Sequence, residues 1–317
     1  MNHADKNRAG ELARNVAVAL RFKKSQGTKE MPQVEKEVLA ANYDRVRGGN
    51  LHLASNARDQ GWPGPGMYLR TAFPDRVDVI EEVIAEGDRV GLLFRVTGTH
   101  TGEFFGIPAT GRKVDVYEIA MLRIVNGQMV EGWFMMDETA LLKQLGARMP
   151  SRKDGQIIAP PLPTAGGEAH AFVERSSARL SASQQERNKL VAARSRSKAR
   201  SKEDRAADHR QRRLGFLHMR DYCKVHGLGE FALDTAIPDR HDKIDVLIAE
   251  GDQVWMRFST NGNHQGSLCG VPPTGRQVGV PVVAIMKFPD GKWQESWTFA
   301  DELGMMLQLG APNLLLG

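Results

Sequence analysis

One stretch of this chain occurs twice. TAFPDRVDVIEEVIAEGDRV at 71–90 returns as TAIPDRHDKIDVLIAEGDQV at 235–254. GTHTGEFFGIPATGRKVDV at 98–116 returns as GNHQGSLCGVPPTGRQVGV at 262–280, and EGWFMMDE at 131–138 as ESWTFADE at 295–302. QLGA closes both copies. The offset is a constant 164 residues, no gap is needed over 71–147, and roughly 34 of those 77 positions are identical. Similarity on that scale is gene duplication, and it commits both copies to one fold. Upstream the match loosens: GPGMYLRTAFPD and GLGEFALDTAIPD agree with a one-residue slip, as do LHL at 51–53 and LHM at 217–219. A chain of 317 residues is long for one core and comfortable for two. The organisation reads as a first unit at 1–149, a linker at 150–172 that begins PSRKDGQIIAPPLPTAGG, and a second unit at 173–317.

Within a unit, helices come first and strands after. In ELARNVAVALRF, Leu12, Val16 and Leu20 recur at helical spacing and mark one face of a helix. Residues 34–43 read as a second short helix, and 66–73 as a third that ends at Phe73-Pro74-Asp75. From Val77 the period changes to two. Glu86-Gly87-Asp88 and Asn126-Gly127 are hairpin turns, because glycine supplies the positive φ that such turns need. They separate strands at 89–100, 112–124 and 128–137, with a Gly/Pro-rich loop at 102–111. Helices followed by hairpin-linked strands make an antiparallel α+β unit.

Charge does not make this a nucleic-acid protein. Residues 174–220 hold 14 Lys+Arg against 5 Asp+Glu, an excess larger than the +5 of the whole chain, so the remainder is acidic on balance. RSRSKARSK at 194–202 has no interleaved aromatics to stack bases, and reads as a solvated helix face or linker before a polyanion site. The start is polar, and no apolar run approaches the roughly 18–20 residues of a membrane helix. Two cysteines, Cys223 and Cys269, make no disulfide framework and fit a reducing cytoplasm. No Cys/His spacing suggests a metal, and GIPATGR lacks the Lys-Ser tail of a phosphate loop.

The string TGTHTGEFFGIPATGR, followed by a strand, an Asn-Gly turn, VEGW and LLKQLGA, resembles the SnoaL-like polyketide cyclase (ester cyclase) family of the nuclear-transport-factor-2-like superfold. The resemblance covers 75–80 residues of each unit closely and the leading helices loosely. It implies two tandem cone-shaped half-barrels, each a curved antiparallel sheet wrapped on helices, paired as an intramolecular pseudo-dimer with a further homodimer left open. It also implies a pocket in the cone running cofactor-free acid–base chemistry on a hydrophobic small molecule, of the aldol, retro-aldol, dehydration or isomerisation kind. The superfold also serves plain ligand binders, so fold does not fix function.

Strand parity then places candidates. Leu92, Phe94 and Val96 share an inward face with His100, while Val114, Val116, Glu118, Ala120 and Leu122 share the apolar face of the next strand. Glu118 among apolar neighbours, with His100 beside it, is the pair that proton abstraction next to a carbonyl needs. A structural role for either residue stays open. His100 recurs as His264, which also fits a histidine that bonds the loop backbone. The resemblance adds His52, matched by His218, at the pocket mouth. The expected catalytic set is therefore Glu118, His100 and His52, with Tyr43, Phe94, Val96, Val116, Ala120 and Phe134 lining the substrate site, and neither metal nor cofactor. Parity sets Tyr117 on the opposite face from Glu118. Glu131, Trp133 and Asp137, kept as Glu295, Trp297 and Asp301, read as sheet surface or site. In many relatives an Asp follows the Trp and carries the chemistry; here Phe134 and Thr298 stand there. Unit two has Val282 for Glu118 and Pro281 for Tyr117, but adds Asp221, Tyr222 and His226 before its sheet. Three functions compete: an acid–base enzyme in unit one, a non-catalytic binder of a small hydrophobic ligand, and an interaction module using 174–220.

Overall fold

The computed structural model describes residues 3–57, 65–157, 159, 166–171, 173, 183–197 and 210–317. The chain divides into two compact units, Met1–Pro160 and Pro161–Leu315. Unit one runs α1 (His3–Lys24), α2 (Met31–Val38), β1 (Leu39–Arg47), α3 (Leu51–Ala57), α4 (Pro65–Ala72), β2 (Val77–Glu86), β3 (Arg89–Thr99), β4 (Lys113–Val125), β5 (Gln128–Met136) and α5 (Glu138–Leu145). Its sheet has the order β1-β5-β4-β3-β2. Unit two runs β6 (Gly167–Glu168), α6 (Gln184–Arg194), β7 (Arg210–Arg213), α7 (Leu217–Val225), α8 (Leu233–Ala236), β8 (His241–Glu250), β9 (Gln253–Asn263), β10 (Gln277–Lys287), β11 (Glu295–Ala300) and α9 (Glu302–Leu309). Its sheet, β6-β8-β9-β10-β11-β7, repeats that order with one added edge strand.

Both units are α+β, and the hairpin strands fall where their turns predict. The sheets are mixed, not purely antiparallel, because β1 pairs parallel to β5 and β7 parallel to β11. The expected helix at 34–43 is shorter. Pro32 starts α2 early, and from Leu39 the chain joins the free edge of β5. That strand alternates little, since most of its side chains are exposed, so period-two reading passes over it.

The helix face of α1 also differs from the expected one. Leu12, Val16 and Leu20 are half-buried, while Asn15, Ala19, Phe22 and Lys23 are buried against the sheet. A charged residue therefore enters the interior of unit one from its first helix.

The duplicated Asp-Glu pair is a structural fastener. Asp137 caps α5 by accepting from Ala140 N at 2.9 Å, and Asp301 caps α9 by accepting from Gly304 N at 3.0 Å. Glu138 accepts the N–H groups of His52 and Leu53 at 3.1 and 3.0 Å; Glu302 accepts those of His218 and Met219 at 3.1 and 2.7 Å. A carboxylate at a helix N-terminus is favoured there by the unpaired N–H groups and the helix dipole. Asp137→Ala and Asp301→Ala are each expected to cost about 1 kcal/mol in urea unfolding and to leave any activity in place.

Candidate active site

The site in unit one grows from the β3–β4 register. Phe94 lies directly across from Glu118, and Glu118 directly across from Met136 on β5. Directly opposed residues share a sheet face, so Glu118 stands among inward-facing apolar side chains. It is 5% exposed, and its Oε2 has no hydrogen-bond partner. Gly49, just after β1, makes room for it; a side chain there would collide with Glu118 Oε1.

Cations surround this carboxyl. Lys23 arrives from α1 with its Nζ 3.8 Å above the Phe94 ring and 2.8 Å from Asp78 Oδ2. Arg76 grips the same Asp78 through two bonds, Nε to Oδ1 at 2.8 Å and Nη2 to Oδ2 at 3.0 Å. The Asp78 side chain is 0% exposed. Burial pushes its carboxyl up, but Lys23 and Arg76 outweigh that, and it ends below the ordinary value. For Glu118 the balance falls the other way: burial raises its pKa, and Lys23, Arg76 and Arg45 only partly oppose the rise. A cavity of about 40 Å³ opens beside it, lined among others by Gln26, Arg45, Asn50, Leu69 and Phe134.

The other expected site residues fall elsewhere. His100 is 0% exposed and is bound into the 102–111 loop: Thr110 N donates to its Nδ1 at 3.2 Å, and Thr110 Oγ1 lies 3.0 Å from the same atom. Its ring stacks on Phe73 at 5.1 Å. Glu118 lies opposite Phe94 on β3, whereas His100 lies six residues further along, just past the end of β3, where its N–H donates to the Arg112 carbonyl just before β4, about 20 Å along the strand. The structure therefore does not bring His100 and Glu118 together. His264 repeats the arrangement with Thr274 at 3.2 and 3.0 Å, which explains why this histidine recurs. His52 is buried at the start of α3, its Nε2 4.0 Å from Glu138 Oε2. Tyr43 packs its hydroxyl against Gly132, and burial raises its pKa. Val96, Val116 and Ala120 are core. Phe134 lines the cavity, with Lys23 and Arg45 at 5.5 and 5.9 Å from its ring centre. Glu131 pairs with Arg89 at 3.2 Å, and Trp133 packs under Arg47 at 5.6 Å.

Burial lowers the pKa of both His100 and His264, and acceptance of the Thr N–H at Nδ1 requires the neutral ring. A histidine whose folded pKa lies below its ordinary 6.5 binds protons less readily when folded. Its stabilising contribution is full above about pH 6.5 and declines as pH falls through that value. Melting at pH 5 and at pH 7.5 is expected to show an acid-induced loss that His100→Gln and His264→Gln together reduce.

Unit two keeps the cations and drops the carboxyl. Arg196 stands over Phe258 at 5.2 Å, as Lys23 stands over Phe94. Arg240 grips Asp242 at 3.3 and 3.1 Å, as Arg76 grips Asp78, and Thr260 Oγ1 donates to Asp242 Oδ1 at 2.9 Å. Val282, in place of Glu118, lies in an apolar cluster with Phe216, Met219, Phe231 and Phe258. Asp221 and His226 are exposed on and just after α7, and the Tyr222 and His226 rings meet at 4.1 Å. These same Arg196, Arg240 and Asp242 side chains, with His170 and Asp234 among others, line a cleft of about 750 Å³ at the start of β8.

The family model for the SnoaL-like polyketide cyclases matches residues 67–145 and again residues 231–309. The chain belongs to that family, and contains its domain twice. A curated relative, aklanonic acid methyl ester cyclase DauD of Streptomyces sp. (strain C5), is 30% identical over 96 residues, which are 30% of this chain and 59% of the relative's length. Among solved structures, AclR from Streptomyces galilaeus is 27% identical, covering 43% of this chain and 97% of its own, with a TM-score of 0.36. IdmH from Streptomyces antibioticus is 25% identical, covering 42% and 99%, also with a TM-score of 0.36. The leading helices, which supply Lys23, lie outside both family matches. Lys23, Arg76 and Asp78 escaped the sequence reading. Two of them left a signal, since Arg76 and Asp78 recur as Arg240 and Asp242. Among the described residues no helix is long and apolar enough to cross a membrane, and no three His, Cys, Asp or Glu side chains gather as metal ligands.

Proposed function

We propose that unit one is a cofactor-independent acid–base enzyme, of the cyclase, lyase or isomerase kind, acting on an aromatic or polyketide-like carbonyl compound. Glu118 is its acid/base. The observation that carries this is the buried Glu118 carboxyl, with Oε2 unpartnered, facing a cavity rimmed by cations. A carboxyl raised toward neutral pH both takes and returns a proton efficiently. In an aldol closure Glu118 removes the α-proton, the enolate carbon attacks the acceptor carbonyl, and the new alkoxide takes a proton back. Lys23 and Arg45 stand where negative charge on the enolate oxygen is stabilised by fixed positive charge. DauD, by its name, is a cyclase of aklanonic acid methyl ester, and the substrate proposed for this chain is of the same general class.

The cavity is far smaller than the roughly 300–1,000 Å³ of ligand pockets. Substrate entry therefore displaces cavity side chains, of which Arg45 is already exposed. The test is deuterium wash-in: the chain is incubated in D₂O with an enolisable aryl β-keto ester. Exchange at the α-carbon above the buffer rate supports the assignment, and binding without exchange favours the second reading. That reading, a non-catalytic binder, is favoured by Phe134 and Thr298 standing after the Trp in the two units, where the family resemblance implies an Asp in many relatives. An interaction role for 174–220 predicts binding that weakens steeply with salt. Residues 174–182 and 198–209 lie outside the described residues.

A further inference from the structure

The chain has two cysteines, and the fold brings them together. Cys223 sits on α7 and Cys269 in the loop after β9, yet their Sγ atoms stand 3.4 Å apart. Both side chains are buried, at 4% and 5% exposure. The Cys223 thiol points at the Cys269 sulfur, and the Cys269 thiol donates to the Met219 carbonyl at 3.6 Å. Sulfur already faces sulfur, so a covalent bond requires closing that gap to about 2.05 Å.

The duplication shows that both positions changed in one unit only. Glu138 and Glu302 anchor the starts of α3 and α7 identically, which aligns His52 with His218 and hence Cys223 with Ala57. The 164-residue offset aligns Cys269 with Phe105. Both of these loop residues hold the same left-handed φ, 50° and 49°, so the backbone is conserved while the side chain is not. Unit one has an alanine and a phenylalanine where unit two has two thiols in contact.

We propose that Cys223 and Cys269 form an oxidation site, which a hydroperoxide converts to a reversible disulfide inside unit two. The hydroperoxide transfers one oxygen to a thiolate, giving a sulfenic acid and the corresponding alcohol or water. The second sulfur attacks the sulfenic sulfur, the S–S bond forms, and hydroxide leaves and takes up the second thiol's proton as water. Two electrons pass from the thiols to the O–O bond. Burial pushes the Cys269 thiol up, with Cys223 beside it adding to the rise, so the closed form reacts slowly. Oxidation follows loosening of the α7 flank, where Lys224, Val225 and Leu228 are exposed. The disulfide ties α7 to the loop that His264 organises, and so fixes unit two in its closed form.

The test uses the whole wild-type chain, reduced, then treated with hydrogen peroxide, denatured and alkylated. The expected product is monomeric, has no alkylatable thiol, and is lighter than the reduced chain by about 2 Da. Dithiothreitol reverses it, and its unfolding midpoint rises by roughly 5–10 °C. Cys223→Ala, which places in unit two the residue that unit one uses, removes the product. Two thiols still alkylatable after a treatment that oxidises the unfolded chain overturn the proposal. So does a product made only of sulfinic acid or of cross-linked dimers.

Discussion

Replacing Glu118 with glutamine is expected to lower turnover by roughly 10²–10⁴-fold, while the variant melts at or above the wild-type temperature at pH 7. The two halves of this expectation share one cause. Burial raises the Glu118 pKa above its ordinary 4.5, so the folded chain binds that proton more readily than the unfolded chain. Above about pH 4.5 the ionising carboxyl therefore costs stability, and the cost grows until the folded pKa is passed. Glutamine keeps the shape and removes the charge, so stability is retained or gained as catalysis is lost. A site that weakens the fold in order to work is a common arrangement. Full turnover in Glu118→Gln contradicts the assignment. A large loss of stability makes Glu118 a structural anchor of the cationic cluster instead.

Asp78→Asn is expected to be far more damaging to the fold, by about 3–5 kcal/mol in urea unfolding of unit one. Asp78 is the fully buried partner of both Lys23 and Arg76. Its removal leaves two cations inside with only Glu118 to answer them. Glu118 is then pulled toward its ionised form, because Asp78 is one of the groups that raises it. The Asp78 pKa is depressed in the folded chain, so its stabilisation is present above the ordinary 3.8 and lost as pH falls through the folded value. The double variant with Glu118→Gln is expected to be non-additive, since the two carboxylates share the same cations. A cost under about 1 kcal/mol contradicts the cluster as described.

The strands were legible because two periodic rules act on them together. Side chains alternate, and the turns at Gly87 and Asn126-Gly127 fix where each alternation starts. Hence alternation alone sets Phe94 and Glu118 on the apolar faces of their strands, and the register sets them side by side. Lys23 was hidden for the opposite reason. Helix reading takes the apolar residues as the buried face, and α1 buries Asn15 and Lys23 alongside Ala19 and Phe22 while Leu12, Val16 and Leu20 are only half-buried. A polar side chain inside is stabilised by long-range partners, here Asp78 and the Phe94 ring, which no local pattern announces. His100 recurs in both units for the loop it holds, so its recurrence carried structure rather than chemistry. β1 went unread because its pairing with β5 is parallel and its side chains are mostly exposed.

The central claim is that unit one holds a carboxyl raised by burial, ready to carry a proton. It is tested most directly by following the carboxyl carbon of Glu118 in wild-type protein through a pH titration by ¹³C NMR, assigned with Glu118→Gln. The account predicts a midpoint clearly above the ordinary 4.5. A midpoint at or below that value means that Lys23 and Arg76 keep Glu118 ionised as one more buried counter-ion, and the acid–base assignment falls.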